Sequence, residues 1–250
     1  TVVIGTLNAV ISIDTIAGDD RINAAEAGAS VMVSGSVLNV EPGQVVNLSM
    51  DGSDYTATVN DDLSWAVSLP SSAWSAAAEG SLTIDASVSS VEGNNAYASR
   101  DVVVDFTAPV VTIDSVAGDD VINASEHNQA LEITGGTSGL AGGEVIRVSL
   151  DGRIYATTVN ADGSWGLTIP RGDVAVRPAG TVSIDASVAD AAGNLGSASH
   201  GANVVLEPPI VTIGVGSGDD VISAAEKMQS LDISGTSSGL AAGTGIEVSL

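Results

Sequence analysis

The segment Ile13-Asp14-Thr15-Ile16-Ala17-Gly18-Asp19-Asp20 returns as Ile113-Asp114-Ser115-Val116-Ala117-Gly118-Asp119-Asp120, 100 residues later. It returns once more, altered, over Ile213 to Asp220. Internal repetition at a fixed spacing constrains a fold more than any other sequence feature, because the same core must be built in every copy. Asp51-Gly52, Tyr55, Trp65, Pro70 and Gly93-Asn94 recur as Asp151-Gly152, Tyr155, Trp165, Pro170 and Gly193-Asn194. Laid without gaps, residues 11–110 and 111–210 match at 36 of 100 positions, and residues 111–150 and 211–250 at 23 of 40. The chain is therefore expected to hold two whole repeats, 11–110 and 111–210, and the first part of a third, 211–250. Residues 1–10 align with 101–110 and read as the last strand of a preceding repeat, so the chain reads as a stretch of a longer array.

Within one repeat the pattern is alternation punctuated by turns. Leu82, Ile84, Ala86 and Val88 alternate with Ser81, Thr83, Asp85 and Ser87, the signature of a half-buried strand. Val46, Leu48 and Met50 alternate before Asp51-Gly52, a hairpin turn signal. Strands are expected near 10–14, 30–36, 45–50, 54–60, 64–69, 82–88 and 96–105. About seven short strands per hundred residues predict an all-β chain of tandem immunoglobulin-like sandwiches. Trp65 and Trp165 fall on alternating strand positions and are expected to anchor the two cores. One stretch breaks the alternation. Asn23-Ala24-Ala25-Glu26 and Asn123-Ala124-Ser125-Glu126 place Glu three residues after Asn, a capping box, which predicts a short helical turn after the first strand.

Acids outnumber bases 31 to 7, for a net charge of -24. Phosphate backbones and anionic membrane surfaces repel such a chain, which argues against nucleic acid as a partner and directs attention to small cations. No apolar run in the sequence is long enough to span a bilayer. Cysteine is absent, and His127 and His200 are isolated on apparent loops, where solvation is the expected state, so thiolate and His-rich metal centres are excluded. The recurrent Gly-Asp-Asp is then the main chemical signal. It reads either as a solvated turn favoured by a helix N-terminus or as part of a calcium site, since Ca2+ takes six to eight oxygens. It does not fit an EF-hand, because Asp120 would fall where that loop needs Gly. If every strand reverses the last, the first junction can gather Asp19, Asp20 and Asp105 from one repeat with Asp190 and Asn194 from the next. Two carboxylates about 4 Å apart at an effective dielectric near 20 repel by roughly 4 kcal/mol, so several would converge only around a cation. The second junction keeps Asp119 and Asp120, but Val205 replaces Asp105 and Glu207 replaces Thr107.

Taken together, Ala-Gly-Asp-Asp-x-Ile-Asn-Ala-x-Glu, Asp-Gly-x-x-Tyr, Gly-Ser-Trp, Asp190-Ala191-Ala192-Gly193-Asn194 and the Thr107-Ala108-Pro109 linker resemble the bacterial Ig-like repeats that extend giant type I-secreted adhesins of the RTX and Bap-like kind. The resemblance covers the whole chain. It implies a secreted protein at the bacterial cell surface, a spacer whose repeats are stiffened by calcium between domains, and a role in cell adhesion and biofilm formation. The partners it implies are neighbouring repeats of the same chain, with lateral self-assembly into an extracellular filament or sheath as the alternative. An enzyme is not expected, because the same acids are copied in every unit without varied loops or a recurrent His. A carbohydrate-binding module would need an exposed aromatic platform, and only Trp74 and Tyr97 lack a counterpart in the next repeat. Arg171-Gly172-Asp173 spells the integrin tripeptide, but a turn is the expected reading.

Overall fold

The computed structural model describes residues 8–214, 221–228, 230, 232–240 and 243–249. Asp219 and Asp220, and most of the segment read as the end of a preceding repeat, lie outside the described residues.

The first repeat is a sandwich of two sheets. One holds β1 (Val10–Ile11), β3 (Val31–Leu38) and β6 (Ser64–Leu69), in the order β1-β3-β6. The other holds β2 (Arg21–Ile22), β8 (Asn95–Val104), β7 (Gly80–Ser89), β4 (Val45–Met50) and β5 (Ser53–Thr58), in the order β2-β8-β7-β4-β5. The pairs are antiparallel except β2 with β8, which run in the same direction. Between them lie the helical turns α1 (Ala24–Ala27) and α2 (Ser71–Ser75).

The second repeat has the same plan. Its three-stranded sheet is β14 (Ser164–Ile169), β11 (Leu131–Ser138) and β9 (Val110–Ile113). Its five-stranded sheet is β10 (Val121–Asn123), β16 (Leu195–Val205), β15 (Gly180–Ala189), β12 (Val145–Leu150) and β13 (Arg153–Thr158). A helical turn α3 (Arg171–Val174) occupies the place of α2. In the third stretch β17 (Ile210–Ile213) pairs with β18 (Gly235–Ser238), and residues 244–249, which align with β12, carry no regular structure. The first strand of each repeat begins at Val10, Val110 and Ile210, one residue before the boundaries expected from the alignment.

Each whole repeat closes its own core, one around Trp65 and one around Trp165, which are 0% and 2% exposed. The alternation does the sorting. In β3, Val31, Val33, Gly35 and Val37 point inward while Met32, Ser34, Ser36 and Leu38 face out or are half-buried. The recurrence of Gly35 as Gly135 has a packing cause. A Cβ on Gly35 would stand 1.9 Å from the Ser12 carbonyl oxygen and 2.7 Å from the Trp65 ring, and one on Gly135 would stand 2.1 Å from that of Thr112 and 2.5 Å from the Trp165 ring. The tryptophan fills the space that the glycine leaves, so the two positions are fixed as a pair.

Candidate functional site

The acidic loop, the linker and the turn before β16 are the elements that carry the predicted site, and the short strands β2 and β10 decide where each residue goes. The N–H of Val103 donates to the Asp20 carbonyl, and the N–H of Asp105 donates to that of Ile22. Because β2 runs parallel to β8, the chain continues past Asp20 towards the end of the repeat. The residues that arrive there are Asn23 and Ala24, with Asp105 opposite them.

Asp20 turns the other way. Its carboxylate accepts from the Ile16 N–H at 2.9 Å and from the Arg100 guanidinium, with Nε donating at 2.6 Å. Arg100 also donates to the Ile13 carbonyl at 2.9 Å and to the Thr15 hydroxyl at 3.0 Å, so one side chain pins three points of the loop. The hydrogen bond from Arg100, aided by that from Ile16 and by the guanidinium charge, holds the Asp20 carboxyl below its ordinary range, against the opposing effect of burial. Asp120 repeats the arrangement with a different partner. It accepts from the Val116 N–H at 2.8 Å and faces His200 Nε2 at 2.7 Å, and the hydrogen bond with His200 is the main cause lowering its pKa. His200, expected on a solvated loop, instead lies within β16 and makes this contact, because the strand continues through it. His127, placed in solvent on the same reasoning, meets the Arg177 carbonyl at 2.9 Å. Arg100 was not among the residues singled out from the sequence, and His200 was read there only as a solvated loop residue. The signal was present, since both are cationic or titratable bases standing 80 residues after the second acid of their repeat.

Asp19 and Asp119 each accept the backbone N–H two residues on, from Arg21 and from Val121, both at 3.0 Å. Asp105 does the same with Thr107 at 3.1 Å. These are local turns, and the second oxygen of each of the three carboxylates carries no hydrogen bond among the described residues.

The contact between repeats is made by the other predicted residues. Asn194 is 6% exposed and sits where the second repeat meets the first. Its Oδ1 accepts from the Ala24 N–H at 3.0 Å, and its Nδ2 donates to the Asp105 carbonyl at 2.9 Å and to Asp190 Oδ2 at 3.0 Å. Asp190 Oδ1 accepts from the Ala192 and Asn194 N–H groups, each at 2.9 Å. From the first repeat, Asn23 Nδ2 donates to the Ala192 carbonyl at 3.0 Å. The linker is tied on both sides. Glu79 Oε1 accepts from the Phe106 N–H at 2.8 Å and the Thr107 hydroxyl at 2.9 Å. Pro109 is buried and lies so close to β16 that a Cβ on Gly196 would stand 2.0 Å from its carbonyl oxygen.

The structure thus brings Asp105, Asp190 and Asn194 together and leaves Asp19 and Asp20 outside that contact. Calcium does not fit the five residues as one site. Among the described residues no three carboxylate or imidazole groups converge to hold a metal. Both oxygens of Asp190, the Asn194 Oδ1 and the Asp105 carbonyl already accept hydrogen bonds, and the Asn194 amide presents two N–H donors where a cation needs oxygens.

Two further sequence signals are absorbed by packing. Trp74 is fully buried on α2 rather than lying on the surface as a sugar platform. Asp173 of the Arg-Gly-Asp tripeptide lies on α3, where its carboxylate accepts from the Tyr155 hydroxyl at 2.8 Å and pairs with Arg153 at 2.6 Å; its side chain is 13% exposed.

No family model and no curated protein matches the sequence. Solved structures do match. One is the Ca2+-stabilized adhesin that helps an Antarctic bacterium reach out and bind ice, at 30% identity with a TM-score of 0.52, covering 94% of this chain and 59% of that one. Another comes from the work on host cell surface retention of a 1.5-MDa bacterial ice-binding adhesin, at 27% identity and a TM-score of 0.50, covering 94% of this chain and 78% of that one. The chain consists of bacterial Ig-like repeats of a large adhesin. The fibronectin(III)-like modules of Clostridium thermocellum CbhA share the fold of these Ig-like repeats at 16% identity and a TM-score of 0.50, over 78% of this chain. The repeats span 59% of the first of these relatives, so they correspond to part of such a protein.

Proposed function

We propose that the chain is a non-catalytic spacer segment of a large bacterial adhesin, exported by a type I route, that holds an adhesive region away from the cell surface and serves adhesion and biofilm formation. The observation that carries this reading is the tied junction. A flexible tether would leave its linker free, whereas here Glu79 holds Phe106 and Thr107 from one side and Gly196 receives Pro109 from the other. Relative motion is the default for neighbouring domains unless their contact opposes it. The likeness to adhesin repeats over 94% of the chain supports the same reading.

Calcium belongs to this proposal as a stabiliser. What supports it is the charge of -24 and the likeness to an adhesin that is itself Ca2+-stabilized. Of the predicted carboxylates, Asp19, Asp105, Asp119 and Asp120 each keep one oxygen without a hydrogen bond among the described residues, whereas both oxygens of Asp20 and of Asp190 accept from internal partners. Thermal unfolding of the full chain in EDTA and in millimolar calcium, with small-angle scattering on the same samples, tests both parts. The expected result is a higher melting temperature in calcium, largely lost in the Asp19→Asn, Asp105→Asn double variant, and an elongated particle. Equal melting temperatures would remove calcium from the proposal. A particle that scatters as a freely jointed chain in both conditions would overturn the spacer itself.

A further inference from the structure

We propose that Asn194 is a positioning residue that locks the second repeat onto the first through its side-chain amide, so that this junction keeps its angle without a bound metal. An asparagine side chain has two N–H donors and an acceptor oxygen. Here all three functions are used across three chain segments: the Ala24 N–H at the start of α1, the Asp105 carbonyl at the end of the first repeat, and the Asp190 carboxylate in its own turn. The network also fixes which way the amide points. Turning it over would set Nδ2 against the Ala24 N–H and Oδ1 against two acceptors. Burial adds the energetic force, since an amide withdrawn from water must find partners inside the protein, and swinging the repeats apart would strip this one of two partners at once.

The surrounding residues support one orientation. Asn23, besides capping α1, reaches over to the Ala192 carbonyl, and the Asp190 carboxylate holds the turn that presents the asparagine by accepting from Ala192 and Asn194 N–H groups. Gly193 stands beside this contact, where a Cβ would come within 3.3 Å of Asn23 Nδ2. In the first repeat Asn94 occupies the same place in the same kind of turn, with the Ser90 N–H donating to its carbonyl at 2.9 Å as the Asp190 N–H does to that of Asn194 at 3.1 Å. The partner such an asparagine fits is therefore specific: the end of another repeat offering an N–H at the first turn of its capped segment and a carbonyl at the end of its last strand. The inference rests on the spacer reading only for its purpose; its chemistry stands on the contacts alone.

The test is an electron–electron distance measurement between spin labels on the full chain in EDTA. The chain has no cysteine, so Thr58→Cys and Thr158→Cys, both exposed on edge strands, give one label per repeat. The expected result is a narrow distance distribution in EDTA that broadens in Asn194→Ala and in Asn194→Asp, the latter because a carboxylate cannot donate to Asp105 or Asp190. Asn94→Ala measures what losing the turn asparagine costs a repeat where the labelled junction is not involved, and it should leave the distribution narrow. Asn194→Ala must broaden the distances while melting no lower than Asn94→Ala. A narrow distribution in Asn194→Ala overturns the lock. So does a wild-type distribution that is broad in EDTA and narrows only in calcium, an outcome that leaves the spacer reading standing. Breadth under both conditions in the wild type overturns both.

Discussion

Asp20 and Asp120 are one position of the repeat with two different partners, Arg100 and His200. Arg100 remains charged at any pH a protein survives. Both carboxyls are held below the ordinary range, mainly by the hydrogen bonds from Arg100 and His200. A group whose folded-state pKa is depressed stabilises above its unfolded value, near pH 4, and loses that contribution as pH falls through the folded value. Asp20→Asn is therefore expected to lower the urea midpoint of unfolding at neutral pH and to converge on the wild type in strong acid. A constant gap across the acid range would assign the loss to packing instead. Arg100→Ala, which also surrenders the bonds to Ile13 and Thr15, should cost on the order of 1 kcal/mol; the pair is 28% exposed on each side, so solvent screens its charge–charge part.

At the scale of the element, the helical turn after the first strand is capped alike in both repeats, and in the first it also bonds across the junction. Asn23 accepts from the Ala25 and Glu26 N–H groups, and Glu26 returns the bond to the Asn23 N–H; Asn123 and Glu126 repeat this. Replacing such a cap by alanine costs about 1 kcal/mol. In this chain Asn23→Ala should cost more than Asn123→Ala, because among the described residues only Asn23 also reaches a neighbouring repeat, at Ala192. Equal losses in melting temperature would show that the bond across the junction contributes nothing. The capping box was legible in the sequence, as were the alternating strands and the Trp65 and Trp165 anchors, because each is a local pattern. The two-residue β2 was not. It is too short to show a period, and its pairing with β8 is parallel, which the assumption of strict strand reversal forbids. That one omission displaced the predicted junction by about a helical turn. It set Asp19 and Asp20 where Asn23 and Ala24 stand, and it hid the reason Asp20 faces Arg100. Asn194 and Asp190 were placed correctly at the pole because the turn that carries them is bounded by two long strands, β15 and β16. Their chemistry, an amide donating to a carboxylate and a carbonyl rather than oxygens converging on a metal, depends on distances that spacing cannot supply.

For the whole molecule the question is how a chain of separate cores keeps a direction. Each repeat satisfies its own hydrophobic demand, since the clusters around Trp65 and Trp165 are distinct, so stiffness has to come from a small number of contacts at the linker. Gly196 isolates one of them. The same strand position in the first repeat is Ala96, which is buried and well accommodated, so an alanine is compatible with the strand itself. At Gly196 the added methyl would lie 2.0 Å from the Pro109 carbonyl oxygen and 2.9 Å from its carbon, a backbone clash that no side-chain rotation relieves. Gly196→Ala is expected to leave the core of the second repeat folded, with a stability change of about 1 kcal/mol or less, and to push the linker off β16. The maximum dimension in small-angle scattering should then change, and proteolysis should cut faster near Ala108. Adding Asn194→Ala to that variant ought to loosen the chain little further, because the two residues grip the same end of the first repeat and their effects are coupled. If the double variant instead loosened by the sum of the single effects, the linker clasp and the asparagine contact would be independent joints, and the array would bend at two places per junction rather than one.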